Sequence, residues 1–299
     1  MYDGNGNGTI DIEDFLGILG LFGDVDVDSD GLWDSQDGCS DVEACNYLIL
    51  SAGICSYPDA IGDCNGNCPV DADGDGICDV YSCNNPVNYQ GYDYSTVLIG
   101  EQCWFTENLR SENYADSSPI LAWISGEGNT TDSGIVGVYG GEGSYECEDD
   151  SPDGDACNEQ WSLSEYGRLY NWYAVNDERG LCPSGWHVPT NDEWSALTEA
   201  LGGAPVAGEK MKTTFGWDFG VVTQEAGSGT NSSGFSGLPG GYGIGESWKN
   251  AGRYAYFWTS TPDGVMACAR ILYFQSQGVI SQTGPQGALM SIRCIQNTE

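Results

Sequence analysis

Between Met1 and Gln90 the chain carries 18 acids and not one lysine or arginine; the first base is Arg110. A segment so charged repels itself unless something neutralises it, and a bound divalent cation is the neutraliser its chemistry suits. Over the whole chain 9 bases face 45 acids, a formal net charge of −36 in 299 residues. Phosphates are gripped by Lys and Arg, so this balance argues against nucleic acid and anionic lipid as partners. No apolar run approaches the roughly 20 residues of a membrane span; the longest, around Phe15–Phe22, is about half that and broken by glycine. Aromatics at 12% argue against a disordered acidic tail, and 44 glycines against a helical bundle. What is left is a turn-rich, loop-rich protein long enough for two domains.

Seven of the thirteen cysteines fall between Cys39 and Cys83, in a stretch with little apolar content. Such a stretch cannot hold itself by a hydrophobic core and reads as a disulfide framework, hence an oxidising compartment. Zinc is the weaker alternative: Cys64 and Cys68 have a permissible ligand spacing, but the one histidine of the chain is far away at His187. The odd count leaves one thiol unpaired or paired with another chain. Met1-Tyr2-Asp3 has neither the basic nor the apolar region of a secretion signal. Together with the cysteines, this predicts a processed or internal piece of a longer exported protein, extracellular or on a bacterial surface.

Three segments have the order of calcium loops. Asp3, Asn5, Asn7, Thr9 and Asp14 take the oxygen positions of a twelve-residue loop, with Gly8 at the sharp turn and Ile10 as the buried apolar residue. Position 12 is Asp14 in place of the usual Glu, so the last ligand is shorter. Ile12, Phe15, Leu16, Leu19 and Phe22 then recur at helical spacing up to Gly23, but no entering helix precedes the loop. This half-motif resembles dockerin modules. A second set is Asp26, Asp28, Asp30, Asp34 and Asp37, with Leu32 at the position that supplies a backbone carbonyl. A third is Asp71, Asp73, Asp75 and Asp79, with Ile77 at that position. Three aspartates at alternate positions before a glycine resemble thrombospondin type 3 repeats. Ca2+ is therefore the expected cofactor. The expected organisation is a dockerin-like half EF-hand over residues 1–23 and a calcium- and cysteine-stabilised stalk over 24–92, followed by a head over 93–299.

The head begins where strands, aromatics and the bases appear. Thr96–Phe105 reads as strand, turn and strand. Residues 127–155 form a Gly-rich acidic insertion, closed by Cys147–Cys157. A cation at Asp149, Asp150, Asp153 and Asp155 is weighed there against a solvated loop, and the loop is favoured. Tyr166, Leu169, Tyr170 and Tyr173 predict one amphipathic helix. Thr190 with Glu193 predicts a capping box, with Trp194, Leu197 and Leu201 on the inner face of the helix and Gly202-Gly203 ending it. Short strands between Gly-rich turns are expected beyond: 254–260, 267–274, 278–281 and 289–295.

Specific motifs run through this head: Ile99-Gly-Glu-Gln-Cys-Trp104 with Glu107-Asn-Leu109, Tyr166-Gly-Arg-Leu-Tyr-Asn-Trp172, Cys182-Pro-Ser-Gly-Trp-His-Val-Pro-Thr190, Gly234-Phe-Ser-Gly-Leu-Pro-Gly-Gly-Tyr242, Tyr256-Phe-Trp-Thr-Ser-Thr261 and Ser291-Ile-Arg-Cys294. They resemble the Fibrobacter succinogenes major paralogous (FISUMP) domain over about two thirds of the chain. The resemblance implies an α+β, C-type-lectin-like fold related to the formylglycine-generating sulfatase-modifying enzymes, with its termini together and two helices beside a small twisted sheet. It also implies a Cys182–Cys294 staple, which leaves Cys103 and Cys268 in the head as candidates to pair.

The sulfatase-modifying relatives use a close cysteine pair before the last strands, where this chain offers only Cys268, so catalysis is not expected. His187 is expected to be a structural imidazole beneath the helix. A calcium-dependent lectin site is weak, because Thr261-Pro262-Asp263 is not followed by Trp-Asn-Asp. A calcium-independent ligand surface of Trp258, Asp263, Arg270 and Tyr273 is weighed against core packing, which is favoured for the aromatics. Two functions follow. One is a structural or adhesive surface protein that self-associates or binds another extracellular protein, extended to a head-to-tail fibre. The other is a glycan-recognition module of a secreted polysaccharide-degrading system.

Overall fold

The chain divides into two compact units, Met1–Ser82 and Cys83–Glu299. The computed structural model describes residues 83, 85–125, 132–218, 227 and 229–297, all in the second unit. The three calcium-loop sets, from Asp3 to Asp79, and the apolar stripe Phe15–Phe22 lie outside the described residues.

The unit opens with a tight hairpin, β1 (Val87–Tyr89) and β2 (Tyr92–Tyr94). Gln90 and Gly91 between them both have positive φ, the backbone a two-residue hairpin turn needs to match strand twist. A second hairpin, β3 (Thr96–Ile99) and β4 (Gln102–Phe105), falls where the sequence predicts it. It belongs to a four-stranded sheet in the order β3-β4-β16-β9, where β9 is Trp186–His187 and β16 is Ile295–Gln296. Ile295 of β16 is thus paired on both sides, with Trp104 of β4 and His187 of β9.

The larger sheet has ten strands among the described residues. Its spine is β12 (Tyr254–Asp263), antiparallel along one edge to β13 (Met266–Tyr273), which in turn pairs with β14 (Val279–Pro285). Along its other edge β12 meets β10 (Gly240–Ile244) at Ala255 and β15 (Met290–Ser291) at Phe257. From β15 the order runs outward through β8 (Leu169–Tyr170) and β6 (Ile135–Gly137) to β5 (Leu121–Ala122). From β10 it runs through β11 (Ser247–Ala251) to β7 (Glu146–Asp149).

Four helices lie among the described residues: α1 (Glu159–Tyr166), α2 (Trp172–Val175), α3 (Asn191–Ala200) and α4 (Ala204–Met211). The capping box of α3 is present, with both the Thr190 and the Glu193 side chains bonded across the first turn. Trp194 and Leu197 of α3 are fully buried. The main core joins them to Trp104, Met211, Trp217, Phe235, Phe257, Leu272 and Ile295. Trp194 meets Trp104, Phe257 and Phe235 at 5.2, 5.5 and 5.6 Å. Each such ring contact adds roughly 0.5–1.5 kcal/mol beyond burial. A second cluster around Tyr139, Tyr166, Leu169 and Trp248 holds the acidic insertion down.

Three expectations are corrected. Residues 166–173 are not one helix. Gly167, at φ +75°, ends α1; Leu169 and Tyr170 then pair as a strand with Ser291 and Met290. The Asn171 side chain restarts the chain as α2 by accepting from Ala174 N at 3.0 Å. The aromatic spacing that looked helical arises from two short helices around a strand. Secondly, α4 occupies a stretch read as strands and turns. Gly203 sets its start, and Pro205 sits in its first turn, where a missing N–H costs nothing. Thirdly, Cys103 does not pair with Cys268. It is bonded to Cys83, which ties the edge of the unit to β4, and Cys268 is free. Cys147–Cys157 and Cys182–Cys294 are bonded as expected.

Candidate ligand-binding groove

The four residues proposed as a ligand surface do not come together. Trp258 is fully buried and donates from Nε1 to Tyr170 O at 2.9 Å. Arg270 is buried on the opposite face of the sheet and donates to Asn191 Oδ1 and O at 2.8 and 3.1 Å, so it clamps the start of α3. Burial pushes its pKa below the usual guanidinium value. Asp263 is exposed at the end of β12. Tyr273 alone of the four joins a surface feature.

That feature is a row of rings. Antiparallel register sets Tyr254 opposite Tyr273 and Tyr256 opposite Ile271, so these side chains share a face. The other face of the same strands carries Ala255, Phe257 and Leu272 into the main core. Tyr242 of β10 extends the row at one end and Phe274 at the other. Successive ring centroids from Tyr242 through Tyr256, Tyr254 and Tyr273 to Phe274 are 4.9, 5.6, 4.5 and 4.7 Å apart. Tyr254 stacks on both Tyr256 and Tyr273, while Phe274 stands at right angles to Tyr273. All five are half-buried. Burial raises the phenol pKa of Tyr254 and, more strongly, of Tyr256, so both stay neutral donors. Gly241 lets β10 approach: at φ +62°, a Cβ there would fall 2.4 Å from Lys249 O.

Two hollows flank the row. The larger, about 360 Å³, is lined by Tyr254, Tyr273 and Phe274 with Asp218, Asn250, Arg253 and Gln275. Arg253 bridges two carboxylates, Asp218 at 2.9 Å and Asp150 at 3.0 Å. Gln275 Oε1 accepts from the Tyr273 hydroxyl at 2.7 Å, and Asn250 Nδ2 donates to the Tyr256 hydroxyl at 2.9 Å. The smaller hollow, about 190 Å³, lies at the Tyr242 and Tyr256 end, walled by Ile244, Ile271, Gln282 and Met290.

A buried lysine fixes the chain behind the larger hollow. Lys212 Nζ donates to Tyr273 O, Ser276 O and Gly227 O at 3.2, 3.0 and 2.8 Å and lies 5.2 Å from the Trp217 ring. Burial lowers its pKa to about 8. Arg293, fully buried, does the same for the main core. It donates to Asn108 Oδ1, Phe105 O, Phe235 O and Ser236 O, and its guanidinium lies 4.5 Å from the Phe235 ring. Burial lowers its pKa to about 9.

His187 supports α3. Its Nε2 bonds Glu193 Oε1 at 2.8 Å and its Nδ1 bonds Asn297 Oδ1 at 2.6 Å. Burial acts to raise the Glu193 pKa, but bonds from the Thr190 amide and hydroxyl, together with His187, hold it below the usual range. In the acidic insertion the carboxylates are engaged by the chain itself. Asp149 accepts from Ser151 N and Ala156 N, Asp153 from Gly216 N and Asp155 from Cys157 N, while Asp150 pairs with Arg253. Among the described residues no group of three or more His, Cys, Asp or Glu side chains is placed to hold a metal ion. No helix among them is long and apolar enough to cross a membrane.

The row was not found by sequence reasoning, although Tyr254 and Tyr256 alternate along one strand. Comparison with curated proteins finds no match, and neither does comparison with solved structures. The family described as the Fibrobacter succinogenes major domain matches residues 97–296, from β3 to β16, which takes in every ring of the row. The chain belongs to the Fibrobacter succinogenes major domain family.

Proposed function

We propose that this chain is a non-enzymatic, extracellular, calcium-binding structural or adhesive protein of a bacterial surface. A stalk held by Ca2+ and disulfides precedes the head and gives way to it at Cys83, not at the residue 92 expected from composition, because Val87–Tyr89 pairs with Tyr92–Tyr94 inside the second unit. A C-type-lectin-like head makes the contacts. The observation that carries this reading is the outward row of four tyrosine rings, ended by Phe274 where it packs against the main core, with polar groups beside it, a surface suited to binding. The groups that would serve chemistry are engaged elsewhere. Both ring nitrogens of His187 are bonded, Cys294 is tied to Cys182, and Cys268 is the one free cysteine among the described residues. This speaks against a formylglycine-type cysteine pair. The half EF-hand contributes the stripe Phe15, Leu16, Leu19 and Phe22, and head-to-tail docking of that stripe would propagate into a fibre.

The test is small-angle scattering and electron microscopy of the full chain with calcium and with chelator. Chelation is expected to expand the particle while near-UV circular dichroism of the head persists, because the aspartate loops lack a core of their own. Filaments are expected in calcium and absent in a Phe15→Asp, Leu19→Asp double variant. Superimposable scattering curves would overturn the calcium stalk, and assembly by the variant would overturn the fibre. The second reading, glycan recognition, is favoured by the polar lining of the larger hollow.

A further inference from the structure

We propose that the aromatic row and its two hollows form one extended groove that binds a chain of a neutral polysaccharide; this rests on the recognition reading above. Tyr254 lines the larger hollow and Tyr256 the smaller, and the two rings stack at 5.6 Å. A ligand that fills both hollows therefore crosses this pair. A single sugar fills only one, so the geometry points to a polymer.

The chemistry selects its class. Arg253 is shared between Asp150 and Asp218, so the groove offers no uncommitted guanidinium for a phosphate or carboxylate. A net charge of −36 adds long-range repulsion of any polyanion. A cationic ligand would need open ring faces, and here Tyr254 is covered on both sides by Tyr256 and Tyr273. The rings offer edges and hydroxyls instead. Gln275, whose Oε1 takes the Tyr273 hydroxyl, presents its NH2 as donor. Asn250, which gives one N–H to Tyr256, presents its Oδ1 as acceptor, and the Asp218 carboxylate has acceptor capacity beyond its bond to Arg253. Alternating donors and acceptors beside aromatic C–H edges match a ring of hydroxyls and C–H groups, an uncharged sugar.

The experiment is native affinity electrophoresis of the full chain in gels containing hydroxyethylcellulose, β-mannan or soluble xylan, with polygalacturonate as the anionic arm. Calorimetry follows, with the di- and hexasaccharide of the retarding polymer. We expect retardation by at least one neutral polymer, and a hexasaccharide bound about tenfold more tightly than the disaccharide because it engages both hollows. Gln275→Ala, an exposed position, and Tyr256→Ala should each weaken binding about five- to tenfold, with unfolding midpoints measured to show that both variants fold. Should Tyr256→Ala fail to fold, Gln275→Ala together with Gln282→Ala tests the two hollows. Chelator should leave retardation unchanged. The groove is refuted if no neutral polymer retards the protein, if only polygalacturonate does, if the two oligosaccharides bind equally, or if chelator abolishes binding. Loss of the groove with a calcium-dependent stalk intact would leave the adhesive reading standing, and the converse would leave the groove.

Discussion

Cys182–Cys294 spans 112 residues of sequence, whereas Cys147–Cys157 spans 10. If these bonds act mainly by restricting the unfolded chain, the loop-closure relation gives about 4.8 kcal/mol for the long loop and about 2.7 kcal/mol for the short one. Burial sharpens the contrast. Cys294 is fully buried in the core and Cys182 nearly so, while both cysteines of the short loop are partly exposed. The perturbation is a Cys182→Ala, Cys294→Ala variant beside a Cys147→Ala, Cys157→Ala variant. The assay is urea unfolding followed by tryptophan fluorescence, since Trp104, Trp194 and Trp217 report the main core. With a denaturant slope of about 2 kcal/mol/M, the first variant should lose about 2 M in midpoint and the second about half that. Equal losses, or a larger loss for the short loop, would refute loop closure as the origin of the stabilisation.

Gly208 lies inside α4, where alanine would ordinarily gain about 1 kcal/mol. A Cβ there would fall 2.3 Å from Gly278 O and 2.7 Å from its carbonyl carbon, so Gly208→Ala should instead destabilise by about 1–3 kcal/mol, and a rise in melting temperature would contradict this contact. Lys212 titrates at about 8 in the folded protein, against 10.5 for its ordinary value. The unfolded chain therefore binds more protons between those pH values, and the contribution of Lys212 to stability should rise across that window by up to about 3 kcal/mol. Urea midpoints of wild type minus Lys212→Met, taken from pH 7 to 10.5, check the sign; a difference that falls with pH would refute it.

What the sequence disclosed was local. Thr190 and Glu193 satisfy each other within one turn, and Gly202 and Gly203 stop the helix through their own backbone freedom, so α3 was legible. The β3–β4 hairpin was legible for the same reason. The stretch from Tyr166 to Tyr173 was not, because its strand exists only through pairing with Met290 and Ser291, more than a hundred residues away. The groove is the extreme case. Tyr242, Tyr254, Tyr256 and Tyr273 come from three strands, and register alone aligns them. Trp258 shares their face and looks equivalent in sequence, yet it is buried and bonded to the backbone at Tyr170, a closure no spacing rule reveals. Cys103 was misassigned because its partner Cys83 stands among the cysteines of the acidic segment, where composition suggested a separate framework.

The place of β16 has a consequence for biogenesis. Ile295 lies between Trp104 and His187, so the small sheet has a gap at its centre until residue 296 has been synthesised. Phe105 N and Leu109 N likewise await the carbonyls of Cys294 and Ile292. A nascent chain that has completed β3 and β4 therefore holds an unpaired edge for nearly two hundred residues of translation. This domain therefore cannot complete its small sheet before β16 has emerged, and a closure of such long range is slow to form. Once that closure is made, the bond between Cys182 and Cys294 locks the seam.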